Sequence, residues 1–453
     1  MYLIYSILLS VAILLLAPIL LLRREKYAEG FRQRLGKYPA FVHDGRPIIW
    51  LHCVSVGETN AARTLFDALK TAYPDHRLVV STITKSGQQL ARTVFAGKAD
   101  AVFYFPFDWK FSVRKALDLY RPSLVLLMET EIWPRFIVEA AKADVRVAIV
   151  NGRSSARSYR RYLLVRPFFR RVLQCVGLAL MQTDRDADHM VALGMDRERV
   201  VVTGNLKFDL ELGRSENEIM EVLGKRFVLG SDDPNAAARR PLIVAASTHE
   251  PEERLILEAF CSVAAGSGRL KPRLLLAPRH PERFDAVERM LREFRHDPAC
   301  EWARYSYVRR SNEPSPDDAG ADVVILDSIG ELRAVYPLAD IVFVGGSLIP
   351  HGGQSVLEPA AAGKAIITGF HTRNFEQVVS AFLDNDAIIQ LPDKNGPQIV
   401  DELFLVISDL IEDSEHREAL GRNASAVMNA NRGATAKTVS ELVKVMPDRL
   451  DRP

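Results

Sequence analysis

Short apolar runs alternate with helical patterns along most of the chain, and this alternation restricts the possible folds more than any other feature. The runs are rich in Val, Ile and Leu, and apolar residues at helical spacing follow most of them. The predicted strands are Pro47–Val56, Leu78–Ile83, Ala101–Phe105, Leu124–Met128, Val145–Val150, Leu178–Met181, Val200–Val202, Leu242–Ala246, Arg273–Ala277, Val323–Leu326, Ile341–Val344 and Ala365–Thr368. Because strands that alternate with helices are typical of βαβ units, we predict an α/β fold with mainly parallel sheets.

The length of 453 residues predicts two domains, because one hydrophobic core rarely supports so long a chain. A charged stretch after Gly204–Asp209 separates the two series of strands. We therefore predict Rossmann-like domains at residues 23–210 and 211–425, facing an interdomain cleft, with a C-terminal helix and tail at residues 426–453. Clefts between domains are favoured ligand sites.

Residues Tyr2–Leu22 form an uncharged run that is long enough to cross a bilayer core of about 30 Å. A retained transmembrane anchor at residues 1–22 is favoured over a signal peptide, because no Lys or Arg precedes the run and Arg23 follows it directly. The basic residues after the run place the large C-terminal part in the cytoplasm. The four cysteines are scattered without ligand spacing, which agrees with a reducing compartment and predicts no zinc site.

The net charge of +2 argues against a general nucleic-acid binder. Seven arginines nonetheless lie between Arg153 and Arg171, interleaved with two tyrosines and two phenylalanines. Basic residues with aromatics near a membrane span suit an anionic lipid surface. A solvated helical face explains the same pattern equally well.

The stretch Trp50–Glu58 contains the main catalytic candidate. A strand ends there in a glycine turn, and Glu58 stands at the start of the following helix, where ligands bind in open α/β sheets. A carboxylate at such a place could accept a proton as a general base, or could simply complement the helix dipole. The dipole lowers the pKa of a carboxyl group, whereas burial raises it, so the two effects oppose each other.

A glycine-rich stretch, Val344–Gly363, follows a later strand. Its glycines let backbone N–H groups approach a phosphate, and Glu358 on the next helix is suited to accept hydrogen bonds from a ribose diol. The alternative is a glycine-rich turn with a surface glutamate. Four glycines within nine residues exceed what one turn requires.

Further polar residues follow other predicted strands. Arg279 could pair with a phosphate or carboxylate, and Ser247 and Thr248 could contact the same anion or cap a helix. His249 and His280 have no second ligand at helical spacing, so structural histidines are expected rather than a metal site. Glu129 and Glu131 could suggest the paired carboxylates of glycoside hydrolysis, but residues two apart do not face each other on a helix. They are therefore expected to shape the site.

Taken together, the motifs resemble those of the lipid A Kdo transferases, the 3-deoxy-D-manno-octulosonic acid transferases of Gram-negative bacteria. The likeness extends from the N-terminal apolar run to the last helices. The matching motifs are Ser55–Glu58 within Trp50–Glu58, Thr82–Thr84, Phe105–Asp108, Met128–Pro134, Asn151–Ser154, Gly204–Asp209, Ser247–His249, Pro278–Pro281 and His351–Gln354.

The resemblance implies a GT-B glycosyltransferase, anchored on the cytoplasmic face of the bacterial inner membrane, with an acceptor-binding N-terminal domain and a nucleotide-sugar-binding C-terminal domain. It would transfer Kdo from CMP-Kdo to a lipid A precursor, with inversion and without a metal or other cofactor. Glu58 would be the general base, Lys207 and Arg279 would hold the donor, and the glycine stretch would receive its phosphate. The residues that it assigns to substrate binding are Ser55, Gly57, Lys207, Ser247, Thr248, Arg279, His280, Gly345, Gly346, Ser347, Gly353 and Glu358.

The chain departs from the family pattern at Ser355 and Val356, where Asn and Pro are favoured, and at Phe370, where Pro is favoured. These departures bear on the donor contacts and leave the fold prediction intact. Two alternative functions are a transferase or epimerase that acts on another nucleotide sugar, and a membrane-tethered binding protein without turnover.

Overall fold

A computed structural model describes residues 2, 4–7, 9–11, 15, 29–129, 131–154, 156–209, 214–229, 240–266, 271–296 and 305–446. The chain divides into two compact units, residues 1–209 with 431–453, and residues 210–430. The division at residue 209 lies next to the one predicted from the sequence. The C-terminal segment belongs to the first unit, which the sequence pattern did not indicate.

The described part of the first unit forms a seven-stranded parallel sheet in the order β3-β2-β1-β4-β5-β6-β7. Its strands are β1 Ile48–His52, β2 Arg77–Thr82, β3 Ala101–Tyr104, β4 Leu124–Met128, β5 Arg146–Gly152, β6 Leu178–Met181 and β7 Val200–Val202. All seven were predicted, and their parallel pairing confirms the predicted fold class for this unit.

Two central strands, β1 and β4, are buried along their whole length because helices cover both faces of the sheet. Trp50 is fully buried on one face, where its indole Nε1–H donates a 2.6 Å hydrogen bond to Oγ of Ser81. The helices of this unit are α1 Phe31–Arg34, α2 Val56–Ala72, α3 Lys85–Val94, α4 Lys110–Tyr120, α5 Pro134–Lys142, α6 Ala156–Leu164, α7 Arg166–Leu173 and α8 Asp184–Leu193.

The described part of the second unit forms another seven-stranded parallel sheet, in the order β10-β11-β9-β8-β12-β13-β14. Its strands are β8 Leu242–Thr248, β9 Arg273–Pro278, β10 Tyr307–Arg309, β11 Val323–Ile325, β12 Ile341–Val344, β13 Ala365–Thr368 and β14 Ile389–Gln390. The two short edge strands, β10 and β14, were not predicted. The other five were.

Helices surround the second sheet, and one more helix completes the first unit. Those of the second unit are α9 Arg214–Phe227, α10 Glu252–Gly266, α11 Phe284–Arg295, α12 Leu332–Val335, α13 Leu357–Ala361, α14 Glu376–Leu383, α15 Gly396–Glu412 and α16 Ser414–Ala430. The last helix, α17 Ala434–Leu442, packs against α2 of the first unit. The carboxylate of Asp209 accepts hydrogen bonds from the backbone N–H groups of Gly433 (2.7 Å) and Thr435 (2.5 Å), which fixes the start of α17.

No helix within the described residues is long and apolar enough to cross a membrane. The predicted anchor at residues 1–22 lies mostly outside the described residues.

Candidate active site

Glu58 lies at the carboxyl end of the first sheet, in the first turn of α2. β1 ends at His52, and the helix starts at Val56 after the N-cap residue Ser55. Oε2 of Glu58 accepts a 2.7 Å hydrogen bond from the backbone N–H of Val54, and only 7% of the residue is exposed. The turn that leads into the helix therefore fixes the orientation of the carboxyl group.

Burial raises the pKa of the Glu58 carboxyl to about 8. The hydrogen bond from Val54 and the charge of Lys207 act in the opposite direction, while the charges of Glu129 and Glu131 add to the increase. Of the two opposing effects expected from the sequence, burial is thus the stronger. A pKa of this size suits a general base that works near neutral pH.

Glu129 follows β4 and joins two basic side chains from other strand ends. Its Oε2 accepts a 2.6 Å hydrogen bond from Nε of Arg153, and its Oε1 accepts a 3.0 Å hydrogen bond from Nζ of Lys207. The backbone φ of Glu129 is 54°, a left-handed conformation that is unfavourable for a residue with a side chain. The buried carboxylate of Glu129 therefore binds both cations, although the backbone of this residue is strained.

The pKa values of Glu58 and Glu129 are shifted in opposite directions. Burial alone would raise the pKa of Glu129, but Lys207 and Arg153 more than offset it, so this pKa is lower than usual. Glu129 therefore stays ionised, while Glu58 exchanges its proton near neutral pH. Such a divided pair is typical of sites that perform acid–base chemistry.

Three first-unit residues predicted to bind substrate lie at this same edge. Ser55 occupies the N-cap position without a side-chain cap hydrogen bond, and Gly57 is the second residue of α2. Lys207 is held by Glu129 and remains partly exposed. Their contact with a substrate stays a prediction.

The glycine loop of the second unit, residues 345–348, surrounds an internal carboxylate. Glu252, in the first turn of α10, is fully buried. Its Oε2 accepts hydrogen bonds from the backbone N–H groups of His249 (2.9 Å) and Gly346 (2.7 Å), and its Oε1 from those of Ser347 and Leu348, both at 2.9 Å. Two of the N–H groups predicted to receive a phosphate, those of Gly346 and Ser347, are therefore engaged by Glu252, and the third, that of Gly345, donates a 2.8 Å hydrogen bond to the carbonyl oxygen of Ala246.

Neither Gly345 of this loop nor Gly369, which packs against it, has room for a side chain. A Cβ at Gly345 would lie 2.7 Å from backbone atoms of Ser247 and Thr248, and a Cβ at Gly369 would lie 2.3 Å from the carbonyl oxygen of Ser347. The buried Oγ of Ser347 accepts a 2.8 Å hydrogen bond from the N–H of Gly369. Gly345 and Ser347 thus hold the loop against its neighbours.

The remaining predicted residues of this region have less regular surroundings. The N–H of Gly353 donates a 2.8 Å hydrogen bond to the carbonyl oxygen of Gly346 in the loop. Ser247 has a left-handed backbone, with a φ of 55°. Thr248 is fully buried, and its Oγ1 has no hydrogen-bond partner in the part of the chain that the structure describes.

Three histidines converge beside the glycine loop. The ring of His249 lies 4.3 Å from that of His351 and 5.3 Å from that of His280, measured between centroids. Burial, and to a smaller extent the charges of His351, His280, Arg283 and Arg279, lower the pKa of His249 to about 4. The sequence named His249 and His280 but did not predict this cluster, because its members follow three different strands.

The charges of Arg279 and Glu358 both act on the buried hydroxyl of Tyr336, whose pKa burial raises well above its usual value. Glu358 lies 3.9 Å from Nε of Arg333. Arg279 follows β9, and Glu358 lies in α13, which follows β12. Their contact with a nucleotide stays a prediction.

Among the described residues, no group of three or more His, Cys, Asp and Glu side chains is arranged to hold a metal ion. The sequence did not single out Arg153, Glu252 or His351, and it named His249 only as an expected structural histidine. Glu252 gave one signal, an acidic residue in the first turn of a helix, and many structural residues share it.

Comparison with known proteins gives related sequences over nearly the whole chain. Residues 29–210 match the family model described as 3-deoxy-D-manno-octulosonic-acid transferase (kdotransferase). The 3-deoxy-D-manno-octulosonic acid transferase of Haemophilus influenzae is 31% identical, over 95% of this chain and 94% of that protein. The enzyme of the same name from Bordetella pertussis is 31% identical, over 87% of this chain and 86% of that protein.

A solved structure shares the architecture. UDP-GlcNAc 2-epimerase from Neisseria meningitidis superimposes with a TM-score of 0.55, covering 88% of this chain and all of that one, at 11% sequence identity. Identity this low shows the fold alone. The two parallel-sheet α/β units resemble those of GT-B glycosyltransferases.

Proposed function

Because the chain belongs to the 3-deoxy-D-manno-octulosonic acid (Kdo) transferase family and is thus a glycosyltransferase, we propose that it transfers Kdo from CMP-Kdo to a lipid A precursor. The proposal depends most on Glu58, a buried carboxyl group with a pKa of about 8 beside a cluster of two cations. That combination supplies a base for a sugar hydroxyl and positive charge for an acidic sugar.

In the proposed reaction, an acceptor hydroxyl attacks the anomeric carbon of Kdo and its proton passes to Glu58. The new C–O bond forms on the face opposite the bond to the phosphate oxygen, which breaks as CMP leaves. The configuration is therefore inverted. With a pKa of about 8, about one tenth of the protein molecules carry ionised Glu58 at pH 7.

The departing phosphate carries developing negative charge, which fixed positive groups and N–H donors stabilise. We assign this role to the basic side chains at the carboxyl end of the second sheet, with Arg279 as the first of them. CMP is already a good leaving group, so the proposed mechanism uses neither a general acid nor a metal ion. Glu358 would bind the ribose.

The acceptor is a lipid, and we propose that residues 1–22 anchor the chain in the inner membrane with its two units in the cytoplasm. Two described residues of the N-terminal segment contact the first unit, since the rings of Tyr2 and Tyr5 lie 5.8 and 5.9 Å from that of Phe168 in α7. The arginine-rich stretch predicted to suit anionic lipids is therefore next to the proposed anchor.

The turn between α6 and α7 has a composition that suits a membrane surface. Leu164 and Val165 are exposed there, Leu164 to 84%, and arginines precede and follow them. Exposed apolar residues flanked by arginines suit the boundary between headgroups and acyl chains.

The test is an assay of the full chain in detergent with CMP-Kdo and tetraacylated lipid A precursor. CMP should be released, and mass spectrometry of the lipid should show the mass of one or more added Kdo residues. Glu58→Ala should abolish release without changing the circular dichroism spectrum. Glu221→Gln, at an exposed glutamate of α9, is the matched control and should retain full activity.

Two results would contradict the proposal. Absence of CMP release from this donor and acceptor would reject the reaction. Thermal stabilisation by UDP-sugars but not by CMP would instead identify another nucleotide-sugar enzyme on the same fold, since ligands stabilise the proteins that bind them.

A further inference from the structure

The glycine loop is already saturated by a negative charge from within the protein. The N–H groups of Gly346, Ser347 and Leu348 point at the fully buried carboxylate of Glu252. A phosphate bound near this loop therefore needs other donors.

His249 provides such a donor beside the loop. Its side chain is 6% exposed, and its Nε2 has no hydrogen-bond partner among the described residues. A Cβ added at Gly346 would lie 3.6 Å from this Nε2 and 3.5 Å from Nε2 of Gln354. The imidazole and the amide thus border the same space above the loop, and buried polar atoms in proteins normally have partners.

The charged groups around His249 are predominantly basic. His280, Arg279 and Arg283 face it from the segment after β9, and His351 faces it from the segment after β12. All of them act to lower the pKa of His249, which is about 4. A bound anion would reverse this effect, so anion binding and proton uptake by the cluster should be coupled.

The acidic side chains near His249 either bind other groups or are exposed at the edge of the histidine cluster. Glu252 is bonded to backbone N–H groups, and Glu253 pairs with Arg283 at 3.2 Å. Glu282 is exposed and lies 3.9 Å from His280. The cluster is therefore short of negative charge, which suits an anion and disfavours a metal ion.

We infer that His249, with His280 and His351, binds the phosphate of the donor nucleotide through imidazole N–H groups, in place of the glycine loop. The inference rests on the proposed function for the identity of the nucleotide. It assigns the loop a different task, which is to hold the histidines in position.

The experiment is isothermal titration calorimetry of the full chain in detergent with CMP and with cytidine, from about pH 5.5 to about pH 8.5. CMP should bind more tightly as the pH falls, with proton uptake, and cytidine should not. His249→Asn should weaken CMP binding by about tenfold or more, as expected for loss of a hydrogen bond to a charged group, and leave cytidine binding unchanged. His351→Ala, at an exposed residue with little effect on folding, should weaken CMP binding selectively by a smaller factor.

His416→Ala is the matched control, because His416 is exposed on α16 and pairs with Asp409. It should bind both ligands as the unmodified protein does. Equal CMP affinity in His249→Asn and the unmodified protein, or an equal loss for CMP and cytidine, would overturn the inference. So would a variant that loses affinity for free Kdo but not for CMP, since the anion would then be the sugar carboxylate.

The two proposals can fail separately. If the unmodified protein releases CMP from CMP-Kdo but His249→Asn binds CMP normally, the transferase assignment stands and the histidine site is rejected. If it releases no CMP but binds UMP in a manner that depends on His249, the phosphate site stands and the donor assignment is rejected.

Discussion

Glu58 and Glu252 occupy equivalent places in the two units and have opposite surroundings. Each stands in the first turn of the helix that follows the first strand of its sheet, and each is buried. Within the described part of the chain, the carboxyl group of Glu58 accepts one backbone hydrogen bond, whereas that of Glu252 accepts four. In the first unit the glutamate can therefore accept a proton. In the second unit both carboxylate oxygens of the equivalent glutamate accept backbone hydrogen bonds.

This difference shows that burial alone does not make a carboxylate a base. Burial raises the pKa of both groups, but the four N–H groups around Glu252 favour its charged form and leave no oxygen free for a substrate. The number of hydrogen bonds therefore separates a catalytic candidate from a structural residue. Four predictions test this distinction.

The largest effect is expected for Glu58→Gln. The amide keeps the size of the side chain and can still accept the hydrogen bond from Val54, but it cannot take a proton. Glu58→Gln should lower kcat by about 10²- to 10⁴-fold, with a melting temperature close to that of the unmodified protein. A loss smaller than tenfold would remove Glu58 from the mechanism.

Glu252→Ala should act on stability instead. It leaves four buried N–H groups without their acceptor, so the free energy of unfolding should fall by about 3–5 kcal/mol in urea denaturation. Glu258→Ala, on the same helix, removes a pair with Arg254 near the surface and should cost less than about 1 kcal/mol. Equal losses for the two variants would show that the four hydrogen bonds contribute little.

Glu129→Gln should have an intermediate effect on catalysis. Lys207 and Arg153 lose the charge that holds them, and kcat/KM should fall by roughly tenfold. Removing a negative charge near Glu58 also lowers the pKa of Glu58, so the rising part of the pH profile should move to lower pH. A purely structural role for Glu129 would reduce activity without that movement, and Glu129→Asp, which keeps the charge, should restore part of the activity.

The smallest effect concerns the unmodified protein. Only ionised Glu58 accepts a proton, and its pKa is about 8, so kcat/KM should rise by about fivefold between pH 7 and pH 8, roughly double again by about pH 9 and then level off. The same profile measured for Glu58→Gln should be flat over this range. A rise that survives in the variant would belong to another group.

The sequence predicted the strands well because most of them are buried on both faces and therefore read as continuous apolar runs. The two strands that it missed, β10 and β14, are three and two residues long, too short to form a pattern. Glu58 was found because a strand, a glycine turn and a helix follow one another within a few residues.

The hydrogen-bond partners of the other site residues could not be predicted from such local patterns. Ser347 donates to Glu252 across 95 positions of the chain, and Lys207 donates to Glu129 across 78. Periodicity and spacing describe local structure, whereas these contacts are produced by the sheet, which brings distant strand ends to one edge. For the same reason the helical pattern near the C-terminus indicated α17 but not the unit that it joins.

The place of α17 has a consequence for the way the protein is made. The first unit is built from two separate stretches of chain, so the second unit is in effect an insertion within it. During synthesis, residues 210–430 leave the ribosome before α17 exists, and a domain folds as a unit only when all its parts are present. The face of α2 that α17 covers must therefore stay without its partner until residues 434–442 have been made, so the unit that began first is completed only after the second unit has been synthesised.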